Sequence, residues 1–133
     1  MSLEANKAIV RRLFAEVINR RQLDGVDGLF APGHIHHFPD RTFQGPEGVK
    51  TLFAGIHDTF PECEMAIDDM IAEGDKVAVR FTARATHGAT GKRVTYTGMD
   101  FFRIEDGKIV ERRGEVDMLR LQQQLGTTSS SGR

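Results

Sequence analysis

GKRVTYTGMDFFRIEDGKIVERRGEVDMLRLQQQLG, residues 91–126, holds two β-rich runs joined at Asp106-Gly107 and then a short amphipathic close. Asp-Gly between two such runs is the strongest short-range hairpin signal. Arg93 to Ile104 and Lys108 to Met118 therefore read as antiparallel strands, with Gly98 marking a bend or bulge in the first. With a two-residue turn, Glu105 pairs with Lys108. Counting back sets Asp100 opposite Arg113 and Tyr96 opposite Asp117, all on one face with Phe102 and Glu111. A three-residue turn with a glycine bulge would shift this pairing by one and break the set. A carboxylate on the buried face of such a strand can have its proton affinity tuned for catalysis.

The period of 2 extends upstream as far as Pro61. Lys76 to His87 alternates cleanly, with Val77, Val79, Phe81, Ala83, Ala85 and His87 on one face and Arg80, Thr82, Arg84 and Thr86 on the other. Glu64 to Ala72 is a further strand, joined to it by a turn at Glu73-Gly74-Asp75. Before Pro61 the period is 3.6. Residues 3–20 form a helix with Ile9, Leu13 and Val17 in one row and Val10, Phe14 and Ile18 in the next, and Ser2 can cap it. Gln22 to Phe30 reads as a short second helix, and Ile35 to Phe38 as a short extended piece. Gly45-Pro46-Glu47 starts a third helix that buries Val49, Leu52, Phe53 and Ile56. Three helices followed by four long strands is an α+β layout, with helices set against one antiparallel sheet.

The chain has 133 residues and reads as one domain, residues 1–126, with a small polar tail at 127–133 expected to be disordered. Hydrophobic residues make up 39% and charged residues 28%, an ordinary globular balance. The net charge is −1 with no long run of one sign, which argues against a nucleic-acid or membrane-surface partner. No apolar stretch is long enough to span a bilayer, and the N-terminal segment lacks the apolar core of a signal peptide. One cysteine, Cys63, excludes an internal disulfide and fits a cytoplasmic location. No P-loop, G-x-G-x-x-G, C-x-x-C or H-E-x-x-H pattern is present.

Several pieces occur together in order: the helix A5–N19, then H37-F38-P39, G45-P46-E47-G48-V49, F60-P61-E62 and A72-E73-G74-D75-K76-V77. They continue with T86-H87, T90-G91-K92, R103-I104-E105-D106-G107-K108-I109-V110-E111 and D117. In this the chain resembles the SnoaL-like polyketide cyclases of the nuclear-transport-factor-2-like superfamily, over nearly all of residues 4–126. The resemblance implies a cone, in which a strongly curved antiparallel sheet wraps a long helix around an internal pocket. It also implies a homodimer formed through the sheet, no metal and no cofactor. The chemistry implied is intramolecular aldol condensation, with an acid late in the last strand as general acid/base. The matching position is Asp117.

Each candidate group has a bland reading beside the chemical one. Asp117 can remove a proton α to a carbonyl if buried, yet Glu111, Arg113, Glu115 and Asp117 share one strand face that periodicity alone would turn to solvent. His87 could hydrogen-bond an enolate oxygen or be a half-wet strand end. His37 could line a pocket mouth or cap a strand edge. His34 and His36 share a face while His37 points away, and no third ligand converges on them, so the trio is not assigned to a metal. Asp100, Arg113 and Asp117 resemble the water-activating set of limonene-epoxide-hydrolase-like members, or else form a surface salt bridge. Phe14, Phe38, Phe53 and Phe102, with Tyr96, are the candidates to line a pocket for a small apolar molecule; the bland reading is that most of the phenylalanines, with Phe60, Phe81 and Phe101 among them, simply fill the core. A non-catalytic binding or dimerisation module remains the reading from another class.

Overall fold

A computed structural model describes residues 2–126; the tail assigned to disorder lies outside them. One six-stranded sheet runs in the order β2-β1-β6-β5-β4-β3. Its strands are β1 Phe30–His37, β2 Thr42–Gln44, β3 Glu62–Glu73, β4 Lys76–Thr86, β5 Arg93–Glu105 and β6 Lys108–Val116. Four α-helices accompany it: α1 Leu3–Arg12, α2 Val26–Leu29, α3 Gly45–Thr59 and α4 Met118–Leu125. The α+β cone expected from the sequence is the fold observed.

The N-terminal helix begins where Ser2 Oγ accepts the Ala5 N–H at 3.0 Å. From Leu13 to Asn19 it widens into a π-helix, a form often found beside functional sites. Its apolar rows pack Val10, Leu13, Phe14 and Val17 into the core. Asn19 ends it by bonding the Met65 carbonyl and amide of β3 at 3.0 and 2.8 Å, in the manner of a strand residue. Arg21, held at a left-handed φ of 60°, donates to the carbonyls of His57 in the last turn of α3 and of Phe60 and Pro61 just past its end.

Four expectations need correction. The region read as a second helix over Gln22 to Phe30 is a 3₁₀ turn at Leu23–Gly25 followed by the four-residue α2. Its two glycines are poor helix formers, and Phe30 is recruited into β1. The short extended piece at Ile35–Phe38 is the end of the eight-residue β1, and the short strand β2 was not foreseen. The amphipathic close is α4, which takes Met118 from the last strand. Phe101 is 61% exposed on the outer sheet face rather than in the core.

The hairpin turn forms as read, with Glu105 opposite Lys108 and positive φ at Asp106 and Gly107. The register then slips. Ile104 pairs with Ile109, but Arg103 pairs with Glu111, so Val110 is one residue too many on β6. Beyond this bulge every partner moves by one: Asp100 lies opposite Gly114 and Phe101 opposite Arg113. A one-residue slip also exchanges the two faces of a strand. Ile109, before the bulge, and Arg112, beyond it, both point into the cone, whereas Arg113 points out. Gly98 stands where a Cβ would collide with the Phe81 ring, so it gives room to the core.

Candidate active site

Between the concave sheet face and the helices lies a cavity of about 470 Å³. Its walls are mostly apolar: Phe14 and Ile18 from the π-helical turn, Phe53 and Ile56 from α3, and Phe81 and Phe102 from the sheet. Four buried polar groups line it, Asp100 and Tyr96 of β5, Arg112 of β6 and His36 of β1, with exposed Arg41, Thr51 and Thr59 also on its wall. A mostly apolar pocket with a few placed polar groups is the usual form of a small-molecule site. A second hollow, about 660 Å³, lies on the outer sheet face against Met99, Phe101, Arg113 and Asp117. It is larger, but the deeply buried ionisable groups are in the inner cavity, and burial is what alters proton affinity.

Asp100 and Arg112 are 5% and 4% exposed. Arg112 donates from Nε to Asp100 Oδ1 at 2.9 Å, and its Nη2 lies 2.5 Å from the same oxygen. Its Nη1 donates to the His37 carbonyl at 3.0 Å, and the guanidinium sits 4.3 Å from the centre of the Phe38 ring. The arginine is thus fixed on three sides. Asp100 Oδ2 has no protein partner among the described residues, yet it is not sealed off from accessible space. Burial pushes the Asp100 carboxyl up from its ordinary value, and Arg112 opposes that rise. The result is a carboxyl group with one oxygen tethered and the other open to the cavity.

The pair exists because of a glycine. A Cβ on Gly114, directly across from Asp100, would collide with Asp100 Oδ1 and with the Arg112 guanidinium. The tyrosine hydroxyl of Tyr96 has no protein partner among the described residues, and burial raises its proton affinity, so it remains an O–H donor. His36 packs against the rings of Phe30, Phe38 and Phe53 with its Nδ1 2.9 Å from His34 Nε2. Desolvation lowers His34 from 6.5 to about 4 and His36 to about 2.

Both rings are neutral in the folded chain at pH 5, while the unfolded chain protonates them. A depressed folded value means that stability is full above pH 6.5 and is lost as pH falls. The window runs from 6.5 down toward 4 and 2, with half-buried His57 shifted in the same sense by burial. Unfolding at pH 5 is therefore expected to take up about two protons from this pair, a slope of about 2.7 kcal/mol per pH unit. Urea midpoints measured from pH 7.5 to 4.5 check it. A flat profile would contradict the burial of the pair.

The residues singled out in the sequence divide between two sides of the sheet. Asp100, Phe14, Phe38, Phe53, Tyr96 and Phe102 line the inner cavity. Arg113 lies outside and is engaged by Glu111 at 3.1 Å; its place opposite Asp100 is taken by Gly114, and its place beside that carboxylate by Arg112. Asp117 is exposed and caps α4, its Oδ1 accepting the Arg120 N–H at 3.0 Å, so it does not join Asp100. The three-residue set of Asp100, Arg113 and Asp117 does not assemble. His87 lies just past β4, bonded to Thr90 Oγ1 at 2.8 Å and packed on Phe60, outside the cavity wall. His37 pairs with Glu111 at 3.1 Å on the outer side. Among the described residues no three histidines, cysteines or carboxylates converge as metal ligands. Sequence reasoning missed Arg112, Gly114 and the cavity place of His36. The one available signal was Arg-Arg-Gly facing an aspartate across a hairpin, since only one of two neighbouring arginines can point inward.

Comparison with known proteins bears on this geometry. The model of the SnoaL-like domain matches residues 10–112. The chain belongs to the SnoaL-like domain family. Among solved structures, AclR of Streptomyces galilaeus, a candidate hydroxylase, is 30% identical, with a TM-score of 0.85 over 94% of this chain and 98% of that one. IdmH of Streptomyces antibioticus, a candidate polyketide cyclase, is 26% identical, with a TM-score of 0.83 over 91% and 98%. A candidate SnoaL-like polyketide cyclase of Jannaschia sp. CCS1 shares the fold at 22% identity, with a TM-score of 0.86 over 94% and 93%. No curated protein matches the chain. Solved structures named for different reactions thus share this fold, and the chemistry of this chain has to be argued from its own cavity.

Proposed function

We propose that the chain is a cofactor-independent enzyme of the polyketide-cyclase-like type, acting on an apolar carbonyl compound held in the inner cavity. The observation that carries this reading is Asp100, whose Oδ1 is tethered to Arg112 while Oδ2 is left without a protein partner inside an apolar pocket. Asp100 Oδ2 takes a proton from the carbon α to the carbonyl, and the C–H electrons move to the carbonyl oxygen as an enolate. The Tyr96 O–H donates to that oxygen as charge develops on it. The enolate carbon then attacks a second carbonyl and closes a ring, and the alkoxide formed on that carbonyl takes the proton held by Asp100; alternatively the enolate takes the proton back from Asp100 at another carbon and the substrate isomerises. Arg112 keeps the carboxylate aimed throughout. This places the acid/base in the cavity at Asp100 rather than at Asp117.

The test needs no knowledge of the natural substrate. 2-Tetralone is an apolar ketone small enough for the cavity, and exchange of its α-protons in D₂O is followed by proton NMR. The wild-type chain is expected to accelerate exchange, and Asp100→Asn to slow it at least about 100-fold with unchanged circular dichroism. Equal rates in the two proteins would overturn the assignment. Binding of 2-tetralone with no acceleration by either protein would point instead to a ligand-binding module.

The outer sheet face carries Met99 and Phe101, each 61% exposed, and it is the face through which the chain is proposed to form a homodimer. Sedimentation equilibrium at micromolar concentration is expected to give twice the 14.8 kDa chain mass. A monomer there would refute the pairing. The single Cys63 suits a reducing cytoplasm, and no described helix is long and apolar enough to cross a membrane.

A further inference from the structure

Five residues of the inner cavity wall are exposed and mark where it opens to solvent: Arg41, Thr51, Gly55, Thr59 and Met118. Arg41 is the one charged group among them, and the mechanism above leaves it unused. It stands in the turn between β1 and β2, which is closed by the Phe38 N–H donating to the Arg41 carbonyl at 2.8 Å. The Arg41 guanidinium lies 5.4 Å from the centre of the Phe38 ring and 5.5 Å from that of Phe43. Those two rings meet edge to face, 6.0 Å apart. A guanidinium within reach of two aromatic rings is held in place by them, without being neutralised. No carboxylate among the described residues is paired with Arg41, and no described group accepts a hydrogen bond from its side chain.

Arg112, the other cation of the wall, is already engaged. Its Nε and Nη2 face Asp100 Oδ1, and its Nη1 donates to the His37 carbonyl. It shares the Phe38 ring with Arg41, at 4.3 Å on its side. Two cations therefore share one ring, while Asp100 is the one carboxylate on the wall among the described residues. The surplus positive charge is at the mouth, on Arg41. Asp100 Oδ2, open at depth, accepts a proton or a donor but repels an anion. Both ends of the cavity thus orient an anionic ligand in the same sense. Its charge stays at Arg41, and its neutral carbonyl end goes inward to Tyr96 and Asp100.

We propose that Arg41 binds a carboxylate of the ligand at the cavity mouth, and that the substrate class is accordingly an amphipathic keto acid, with an apolar carbonyl-bearing body inside the cone and its anion at the rim. The planar fork of arginine takes both oxygens of a carboxylate at once, which fixes direction as well as position. The rings of Phe38 and Phe43 set the guanidinium beforehand, so little side-chain freedom is lost on binding. The assignment rests on the inner cavity being the site proposed above, but not on Asp100 acting as its base.

The probes are 2-naphthoate and 2-naphthamide, which have nearly the same shape and differ by one charge at pH 7. Isothermal titration calorimetry of the full chain is expected to show naphthoate binding at least about tenfold more tightly. In Arg41→Met the preference should fall below about twofold. In Arg41→Lys, which keeps the charge without the fork, at least about threefold should remain. Arg41 is exposed, so either replacement leaves the core intact. Equal affinities in wild type, or a preference undiminished in Arg41→Met, would overturn the proposal, the second outcome setting the anion on Arg112 or elsewhere. Failure of both probes to bind would overturn it as well. 2-Tetralone carries no charge, so its exchange tests Asp100 without Arg41. Equal probe affinities with tetralone exchange intact would sink this inference alone, and a naphthoate preference without exchange would sink only the base assignment.

Discussion

Arg112→Met is expected to cost about 3–5 kcal/mol of folding stability, because it leaves the Asp100 carboxylate buried without its cation. Asp100 is 5% exposed and has no other partner for its charge among the described residues. Methionine keeps much of the volume and the contact with the Phe38 ring, so the loss reports on charge rather than on a void. The double replacement Asp100→Leu with Arg112→Met should recover most of it, since a buried ion pair exchanged for apolar groups is close to neutral. Urea unfolding at pH 7 of wild type, single and double variants checks both statements. The sign with pH is fixed as well. In the single variant the folded carboxyl rises further above its ordinary 3.8. Its penalty relative to wild type is therefore full above the raised value and fades as pH falls toward 3.8. A single variant as stable as wild type would mean that the pair is not buried as described.

Gly114→Ala is expected to be nearly as damaging, although it adds one methyl group. Overpacking of a tight site commonly costs about 1–3 kcal/mol and sometimes more. Here the methyl falls on Asp100 Oδ1 and the Arg112 guanidinium, and both are fixed by their own bonds and by the Phe38 ring. We expect a loss of about 3 kcal/mol in urea unfolding together with loss of 2-tetralone exchange, because the carboxylate is pushed from its tether. Retention of both stability and exchange would show that the strand can part at this point and that the pair is not held by the missing side chain.

Local features of this fold were legible and distant ones were not. The Ser2 cap, the alternation along β4 and the Asp106-Gly107 turn depend on neighbouring residues, and each formed as read. The bulge at Val110 depends on how a curved sheet closes, and nothing in Ile-Val-Glu-Arg-Arg-Gly announces it. One residue of slip moved the partner of Asp100 from Arg113 to Arg112, a residue the sequence had not singled out, and put it at the centre of the site. Asp117 was judged by its place near the end of a strand, but that strand ends at Val116 and the residue becomes a helix cap. His36 was weighed only as a metal ligand because its neighbours across the cone, Arg112 and Phe53, lie far away in sequence.

The parallel pairing of β1 with β6 carries a consequence for how the chain is made. His36 finds its strand neighbour at Arg112, and the short β2 covers only the other edge. As the polypeptide is made at roughly 5–20 residues per second, β1 waits through most of the chain's synthesis for the strand that completes it. For that interval a run of ladder groups and two inward histidines have no neighbour on one side. The nascent chain therefore presents an open strand edge, the kind of surface that invites intermolecular pairing and that chaperones shield. The inner cavity closes only after β6 docks, so a molecule bound there would stabilise only the finished cone and not the early steps of folding.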